Sequence, residues 1–456
     1  MSASKILKRM GSEENNSSLK REIYDSQAKL PITYSGEFHE LYAHRRVDSS
    51  WDFRGADTHY ATHGIYHYPA MMVAPVVKRL IEETANTQGV KRILDPFCGS
   101  GSALVEGMLH GMQTTGIDLN PLAVLLARVK TAPIPISDIK ENFRAIGQRY
   151  VEIPNVPINV ALPNWPFWYS RDAALSLSRL KEALRVCTTP QVADFFRMCF
   201  GETSRYVSWT RHDEFKVYRM PHEKLIRWHP RVFKVFSDIV AHNTSCMEEF
   251  LRMLPLRAPQ AQVIEGDARD RRIMGKKSFD MIVTSPPYGD SDTTVAYGQY
   301  SRLSLVWLGF DVPTINKIDR ISLGGSVSNT SSKVESATLY KQLREIGNKD
   351  SNRARQVHAF YLDLAEAFRN TMRHLSPGGT ACVVVGNRTV KGVKLETDSI
   401  LSEVLVNECR LEHMETIVRG IPNKSMPSYN SPSNVRGRTG RTMVNEYILI
   451  LRKTRS

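Results

Sequence analysis

Unbroken apolar runs punctuate this chain: Met281-Ile282-Val283, Cys382-Val383-Val384-Val385 and Ile448-Leu449-Ile450-Leu451. Each is too short for a helix and too continuous for a strand with one wet face, so each predicts a strand buried on both faces. Between such runs the apolar spacing turns helical. "HYPAMMVAPVVKRLIEE" has helical periodicity after its prolines, and "ARQVHAFYLDLAEAFRNTMRHL" does so throughout, ended by "SPGG" before the strand "TACVVVGN". Residues 91–130 predict strand, glycine loop, helix, strand and helix in turn. From about 131 to 259 the pattern is mostly helical, and alternation resumes with "AQVIEGDAR" and "SFDMIVTSPPY". "HMETIVRG" and "NEYILILRK" supply two closing strands. Strands alternating with helices imply an α/β protein with a doubly wound, mainly parallel sheet covered on both faces.

Composition narrows this picture without redrawing it. Among 456 residues, 41% are hydrophobic and 24% charged, as in globular proteins. No apolar stretch approaches the roughly 18 residues of a membrane span. The polar start lacks a signal-peptide core, so a soluble cytoplasmic protein is expected. Cys98, Cys187, Cys199, Cys246, Cys382 and Cys409 are scattered, with no paired spacing for zinc, and no metal site is expected. Sixty-one basic against 47 acidic side chains leave a charge of +14, which favours a polyanionic partner.

Candidate chemistry begins at "ILDPFCGSGSALVEG", where Gly99-Ser100-Gly101 joins a buried strand to a helix. Glycines let a ligand approach the backbone, and the helix start offers unpaired N–H groups. Asp118 ends the next strand, seventeen residues after Gly101, where a carboxylate can accept ribose hydroxyls. A dinucleotide loop would prefer a third glycine, and a P-loop would need Gly-Lys-Ser/Thr; neither is present.

Taken in order, "DPFCGSG", "GIDLNPLA", "GDAR" and "SPPY" resemble the S-adenosylmethionine-dependent amino-methyltransferases of nucleic acids, above all the DNA cytosine-N4 and adenine-N6 family. The resemblance runs from about His59 to Lys453 and implies a class I, Rossmann-like methyltransferase fold with a large helical insertion. It assigns Tyr68 and Pro69 to the cofactor pocket, and Asp95, Phe97, Gly99, Ser100 and Gly101 to its methionine end. Asp118 would hold the ribose and Asp267 the adenine amine. Residues 46–130 and 260–456 would form the catalytic domain, 131–259 the insertion and possible DNA-recognition region, and 1–45 a loosely ordered N-terminal segment.

The substrate of such an enzyme is an exocyclic amine whose lone pair is delocalised into its ring. No covalent intermediate is needed, but the nitrogen must be aligned with the methyl–sulfonium bond. Acceptors aimed at the amine hydrogens achieve this and take up developing charge. Pro286 and Pro287 stiffen the backbone so that the Pro286 carbonyl can be one acceptor, with the Ser285 hydroxyl the second. Tyr288 would stack on the base once it has left the duplex. Ser at the first position is typical of the cytosine-N4 members, whereas Asp or Asn marks adenine and RNA-guanine members. Cytosine N4 in duplex DNA is therefore the expected target. Adenine N6, RNA guanine N2, and a DNA-binding protein that has lost catalysis are the alternatives. Asp290 and Asp292 read as loop acids, the methylated amine losing its proton to water.

Two basic segments are candidates for holding DNA, and a restriction endonuclease acting on the same site is a possible partner. Residues 211–234 interleave seven Lys/Arg, Arg211, Lys216 and Arg219 among them, with Tyr218, Trp228 and Phe233, against three acids. An amphipathic helix pair with a solvated basic face would give the same pattern. The second segment, between the last two strands, carries Arg419, Lys424, Arg436, Arg438 and Arg441 with no acid. Its Pro, Ser, Asn and Gly content predicts a loop at the ligand-binding end of the sheet.

Overall fold

The computed structural model describes residues 45–455 except 155, 188, 213–215, 291–294, 327–332, 423–428, 431–439 and 442. The expected N-terminal segment up to residue 44 therefore lies outside the described residues, as do Asp292, Lys424, Arg436 and Arg438. The strands are β1 (Arg45–Val47), β2 (Arg92–Asp95), β3 (Gln113–Asp118), β4 (Gln262–Glu265), β5 (Phe279–Thr284), β6 (Leu375–Val385), β7 (Arg388–Val390), β8 (Val393–Leu395), β9 (Leu411–Gly420), β10 (Tyr429–Asn430), β11 (Gly440–Arg441) and β12 (Asn445–Lys453). Eight of them form one sheet in the order β1-β9-β12-β6-β5-β2-β3-β4. All neighbours run parallel except β12, which is antiparallel to both β6 and β9. This is the class I methyltransferase fold, with the strand order reversing direction between β2 and β5.

The helices of eight or more residues are α1 (Ala74–Gln88), α2 (Ser102–Leu109), α3 (Pro121–Lys130), α4 (Ile136–Glu152), α5 (Arg171–Ala183), α6 (Pro190–Tyr206), α7 (Val232–Met253), α8 (Tyr297–Trp307), α9 (Val312–Ile321), α10 (Ala337–Gly347), α11 (Ser351–Met372) and α12 (Thr397–Cys409). Successive strand residues point to opposite faces, and the unbroken apolar runs satisfy both. Met281, Val283, Cys382, Val384 and Ile448 pack with Val76, Val77, Leu80 and Ile81 of α1. Their neighbours Ile282, Ala381, Val383, Val385 and Leu449 pack with Phe360, Leu364 and Phe368 of α11 and Leu401 and Leu405 of α12. A polar residue within either run would sit in one of these cores.

Helices α4 to α7 add a third core, built on Phe195, Phe196, Phe200, Phe236 and Phe250. It is continuous with Leu122, Leu126 and Val129 of α3 and with Trp307 of α8, so the helical segment is packed directly onto the sheet-flanking helices.

Three details differ from the sequence reading. The "SPGG" segment, expected to end a helix ahead of the strand, lies within β6, which starts at Leu375. Helices α8 and α9 occupy the stretch after SPPY, where no element was expected. Residues 209–211 pair antiparallel with 218–220 as the two arms of a short hairpin, with Met220 N donating to Trp209 O at 2.7 Å and Arg211 N to Tyr218 O at 2.9 Å. The alternative of an amphipathic helix pair is not met among the described residues, where a single helical turn, His222–Leu225, stands between these arms and α7.

Candidate active site

Two adjacent strand ends bring distant segments together. β2 ends at Asp95 and β5 at Thr284, and the Thr284 hydroxyl donates to Asp95 Oδ1 at 2.7 Å. Asp95 also accepts from Phe97 N at 3.1 Å. Burial pushes its carboxyl up to about 7, against those two hydrogen bonds and aided by the negative charge of Asp118.

Asp118, at the end of β3, organises the glycine loop. Its Oδ2 accepts from Gly99 N at 2.9 Å and its Oδ1 from Asn120 N at 2.8 Å. Burial raises this carboxyl to about 6. Each oxygen keeps a second lone pair for a ligand hydroxyl. Gly99 lines the cleft, but Gly101 does not. Its φ is +94°, and a Cβ there would lie 3.2 Å from Ala127 of α3. Gly101 is needed for the turn and for close helix packing, which corrects its assignment to the methionine end.

Asn120 ties this loop to two further elements. Its Oδ1 caps α3 by accepting from Leu122 N at 3.0 Å, while Nδ2 donates to Tyr68 Oη at 3.0 Å and Ser301 Oγ at 2.8 Å. The buried Tyr68 ring stacks on Tyr297 at 6.0 Å and meets Tyr300 edge-on at 5.8 Å. On the far side, both oxygens of Asp267 accept from Arg269, at 2.7 to 3.1 Å, and Arg269 also pairs with Asp363 at 2.9 Å. Asp267 thus reaches the cleft already half neutralised.

Tyr68, Pro69, Asp95, Phe97, Gly99, Ser100, Asp118 and Asp267 line one open cleft, and so do Ser285 and Pro287. Pro286 is buried, and Pro286 and Tyr288 are set back from this cleft. Tyr288 accepts from Ser285 Oγ at 3.2 Å and donates to Glu446 Oε1 at 3.1 Å. A Cβ at residue 386 would lie 2.9 Å from the Tyr288 ring and 1.8 Å from Met443 Sδ, so only glycine leaves room for both. Asp290 is no solvent-facing loop acid: it is buried between Arg353 and Arg388, at 2.7 and 3.1 Å.

A relative makes the family plain. The type II methyltransferase M.MvaI of Kocuria varians is 37% identical over 433 residues, spanning 88% of this chain and 93% of that protein. The chain belongs to the type II methyltransferases. A second member, M.MjaII of Methanocaldococcus jannaschii, is 34% identical over 79 residues, 17% of this chain and 14% of that protein. Among solved structures, the rRNA methyltransferase aviRa from Streptomyces viridochromogenes aligns over 89% of this chain and 93% of its own, with 11% identity and a TM-score of 0.31. No protein-family model matches.

Type II methyltransferases take their methyl group from S-adenosylmethionine and place it on DNA. The cleft of this methyltransferase suits that cofactor chemically. The buried Asp95 and the half-buried Asp118 line one part of the cleft, and Phe97, Ala268, Ile318, Ile321 and Leu323 offer apolar surface beside Asp267. No helix among the described residues of the methyltransferase is long and apolar enough to cross a membrane. Among them there is also no group of His, Cys, Asp and Glu suited to a metal.

The first basic segment forms the hairpin just after α6. Arg219 lies over Phe167 at 4.6 Å and Trp209 at 5.0 Å, Arg211 over Tyr218 at 5.8 Å, and Lys216 is exposed at the turn. Of the second segment, Arg419 is buried in an ion pair with Glu446, so it is no DNA contact. Ile421 N donates to Val444 O at 3.0 Å, which sets both ends of the connection at the sheet end that carries the cleft. Arg441 belongs to β11.

Asn120, Tyr297, Arg269 and Glu446 escaped the sequence reading. Asn120 alone had a local signal, since Asn before Pro marks a helix start. Arg269 bonds Asp267 two residues away within GDAR, while Tyr297 and Glu446 act through contacts that only folding creates.

Proposed function

We propose that this methyltransferase transfers the methyl group of S-adenosylmethionine to the exocyclic N4 amine of cytosine in duplex DNA. One observation carries the reading: a neutral hydroxyl, Ser285, stands on a proline-stiffened step in the same cleft as the glycine loop. The cofactor supplies an electrophilic methyl group on a sulfonium. Ser285 Oγ and the Pro286 carbonyl would accept from the two amine hydrogens and turn the nitrogen lone pair out of conjugation. Tyr288, its hydroxyl held by Glu446, would offer its ring to a base flipped from the duplex. Tyr68, Pro69, Gly99 and Ser100 would flank the methionine part, with Asp95 behind the loop. Asp118 would accept the ribose hydroxyls, and Phe97 and Asp267 would meet the adenine.

The helical segment 131–259 would contribute to DNA recognition through its hairpin, where Arg211, Lys216 and Arg219 supply phosphate contacts. The second basic segment would add further DNA contacts through Lys424, Arg436, Arg438 and Arg441. A restriction endonuclease reading the same sequence would be the functional partner.

The test is transfer of labelled methyl from S-adenosylmethionine to genomic DNA and total RNA, followed by nucleoside mass spectrometry. N4-methylcytosine in DNA is the expected product. N6-methyladenine would keep the mechanism and discard the inference from Ser285, and label in RNA alone would overturn the substrate class.

A further inference from the structure

A directed chain of three side chains starts at Ser285 in the cleft and runs back through Tyr288 to Glu446. Ser285 Oγ donates to Tyr288 Oη at 3.2 Å, and Tyr288 Oη donates to Glu446 Oε1 at 3.1 Å. Both bonds are longer than a hydroxyl bond at its optimum, as is usual before a substrate closes a site. Every hydroxyl proton in the chain points away from the cleft, so the lone pairs of Ser285 Oγ are left toward the substrate. The chain ends on an acid at the start of β12, more than 150 positions from SPPY and in no motif.

Glu446 is built for a fixed position. Arg419 donates to its other oxygen, Oε2, at 2.5 Å, and Arg419 is itself buried. The Arg419 guanidinium is anchored on the carbonyls of Trp51 at 2.8 Å and Asp52 at 3.4 Å. Oε1 is thereby presented to Tyr288. The Glu446 side chain stays 17% exposed, which leaves a path from its carboxylate to water.

We propose that Ser285, Tyr288 and Glu446 form a proton exit, with Glu446 as the acceptor of the proton that the target amine must lose. This rests on the reading that an exocyclic amine sits against Ser285. As the nitrogen gains its new bond to carbon and the sulfur keeps the electrons of the broken one, Ser285 Oγ takes an amine proton. Ser285 passes its own proton to Tyr288 Oη, and Tyr288 passes its own to Glu446 Oε1. The hydroxyls end as they began. The positive charge of the sulfonium and the negative charge of Glu446 disappear together, which leaves Arg419 facing a neutral acid until Glu446 gives up the proton. Glu446 then returns the proton to water. Proton release straight from the amine to water, the simpler route, makes no use of this chain.

Glu446→Gln separates the two routes. Glutamine cannot take up a proton, so the sink is lost, but its NH2 must face either Arg419 or Tyr288 where the carboxylate accepted from both, so Tyr288→Phe is needed as the variant that leaves the Arg419 contact unchanged. Tyr288→Phe keeps the ring and breaks the chain in the middle. Single-turnover transfer to a DNA substrate would be measured in H2O and D2O for both variants and for the pair, with cofactor affinity from calorimetry. We expect each single variant to lose at least about a hundredfold in rate, the low end of what a positioned proton acceptor supplies. Cofactor affinity should stay within about twofold, and the solvent isotope effect of the wild type should disappear. The double variant should be no slower than the singles, because members of one chain are not additive. Wild-type rates in the singles, an unchanged isotope effect, or losses that multiply in the double variant would overturn the proposal. Circular dichroism of Glu446→Gln guards against a folding defect, and Tyr288→Phe, which leaves the Arg419 pair intact, provides the independent arm. Failure of the underlying reading is distinct: the wild type would then yield no methylated exocyclic amine.

Discussion

Thr284 donates its hydroxyl to Asp95 at 2.7 Å across a sequence separation of 189 residues, and this bond fastens the SPPY strand to the glycine-loop strand. Burial holds the Asp95 carboxyl at about 7, above its unfolded value. The folded state therefore binds this proton more tightly than the unfolded one. Its contribution to stability is full below the unfolded pKa of about 4 and is lost as pH rises to about 7. Thr284→Val removes a bond to a group that is ionised at pH 8 and protonated at pH 5. The variant should lose about 1.5–3 kcal/mol at pH 8 and about 0.5–1.5 kcal/mol at pH 5, read from urea unfolding at both. Equal losses would mean that Asp95 does not titrate in that window.

Asp118 should make cofactor binding pH-dependent. Burial raises it to about 6, so below that pH it is increasingly protonated and one acceptor for the ribose is lost. Affinity measured by calorimetry should weaken roughly tenfold between pH 7 and pH 5, as expected if only the ionised form binds. Asp118→Ala should weaken binding at pH 7 and flatten the profile; unchanged affinity would remove Asp118 from the pocket.

Asn120 can be split into its two tasks. Asn120→Asp keeps an oxygen to cap α3 but loses the donor to Tyr68 and Ser301. Melting should change little, since the cap worth about 1 kcal/mol survives. Cofactor affinity should fall several-fold as Tyr68 and α8 loosen. If affinity holds while stability drops, Asn120 serves the helix alone.

Tyr288→Ala removes both the ring and its hydroxyl. Transfer should be lost while cofactor affinity stays within a few fold, since Tyr288 stands off the cofactor cleft. A collapse of cofactor binding would refute its role beside the base.

The hairpin can be tested by salt. Arg219→Ala should weaken DNA binding similarly on all sequences and reduce the slope of log K against log salt by about 0.9. An unchanged slope would confine Arg219 to its packing on Phe167 and Trp209.

Much of this protein is legible along the chain, because burial on both faces demands unbroken apolar runs. Met281 to Val283 and Cys382 to Val385 announce central strands whatever their partners. The glycine loop, Asp118 and SPPY stand out equally, because the proposed cofactor and base sites draw on particular residue types in short local segments. The sequence also states the family through the order of those motifs. Tertiary structure decided the rest, because pairing between distant residues leaves no local pattern. It turned Gly101 from ligand contact to helix packing and moved Arg419 from DNA to an ion pair. It made hairpin arms where an amphipathic helix pair was the alternative, since the alternation of basic and aromatic residues there suits either. It also brought Glu446 behind Tyr288, a juxtaposition set by the antiparallel β12 beside β6 and by no residue near the motif.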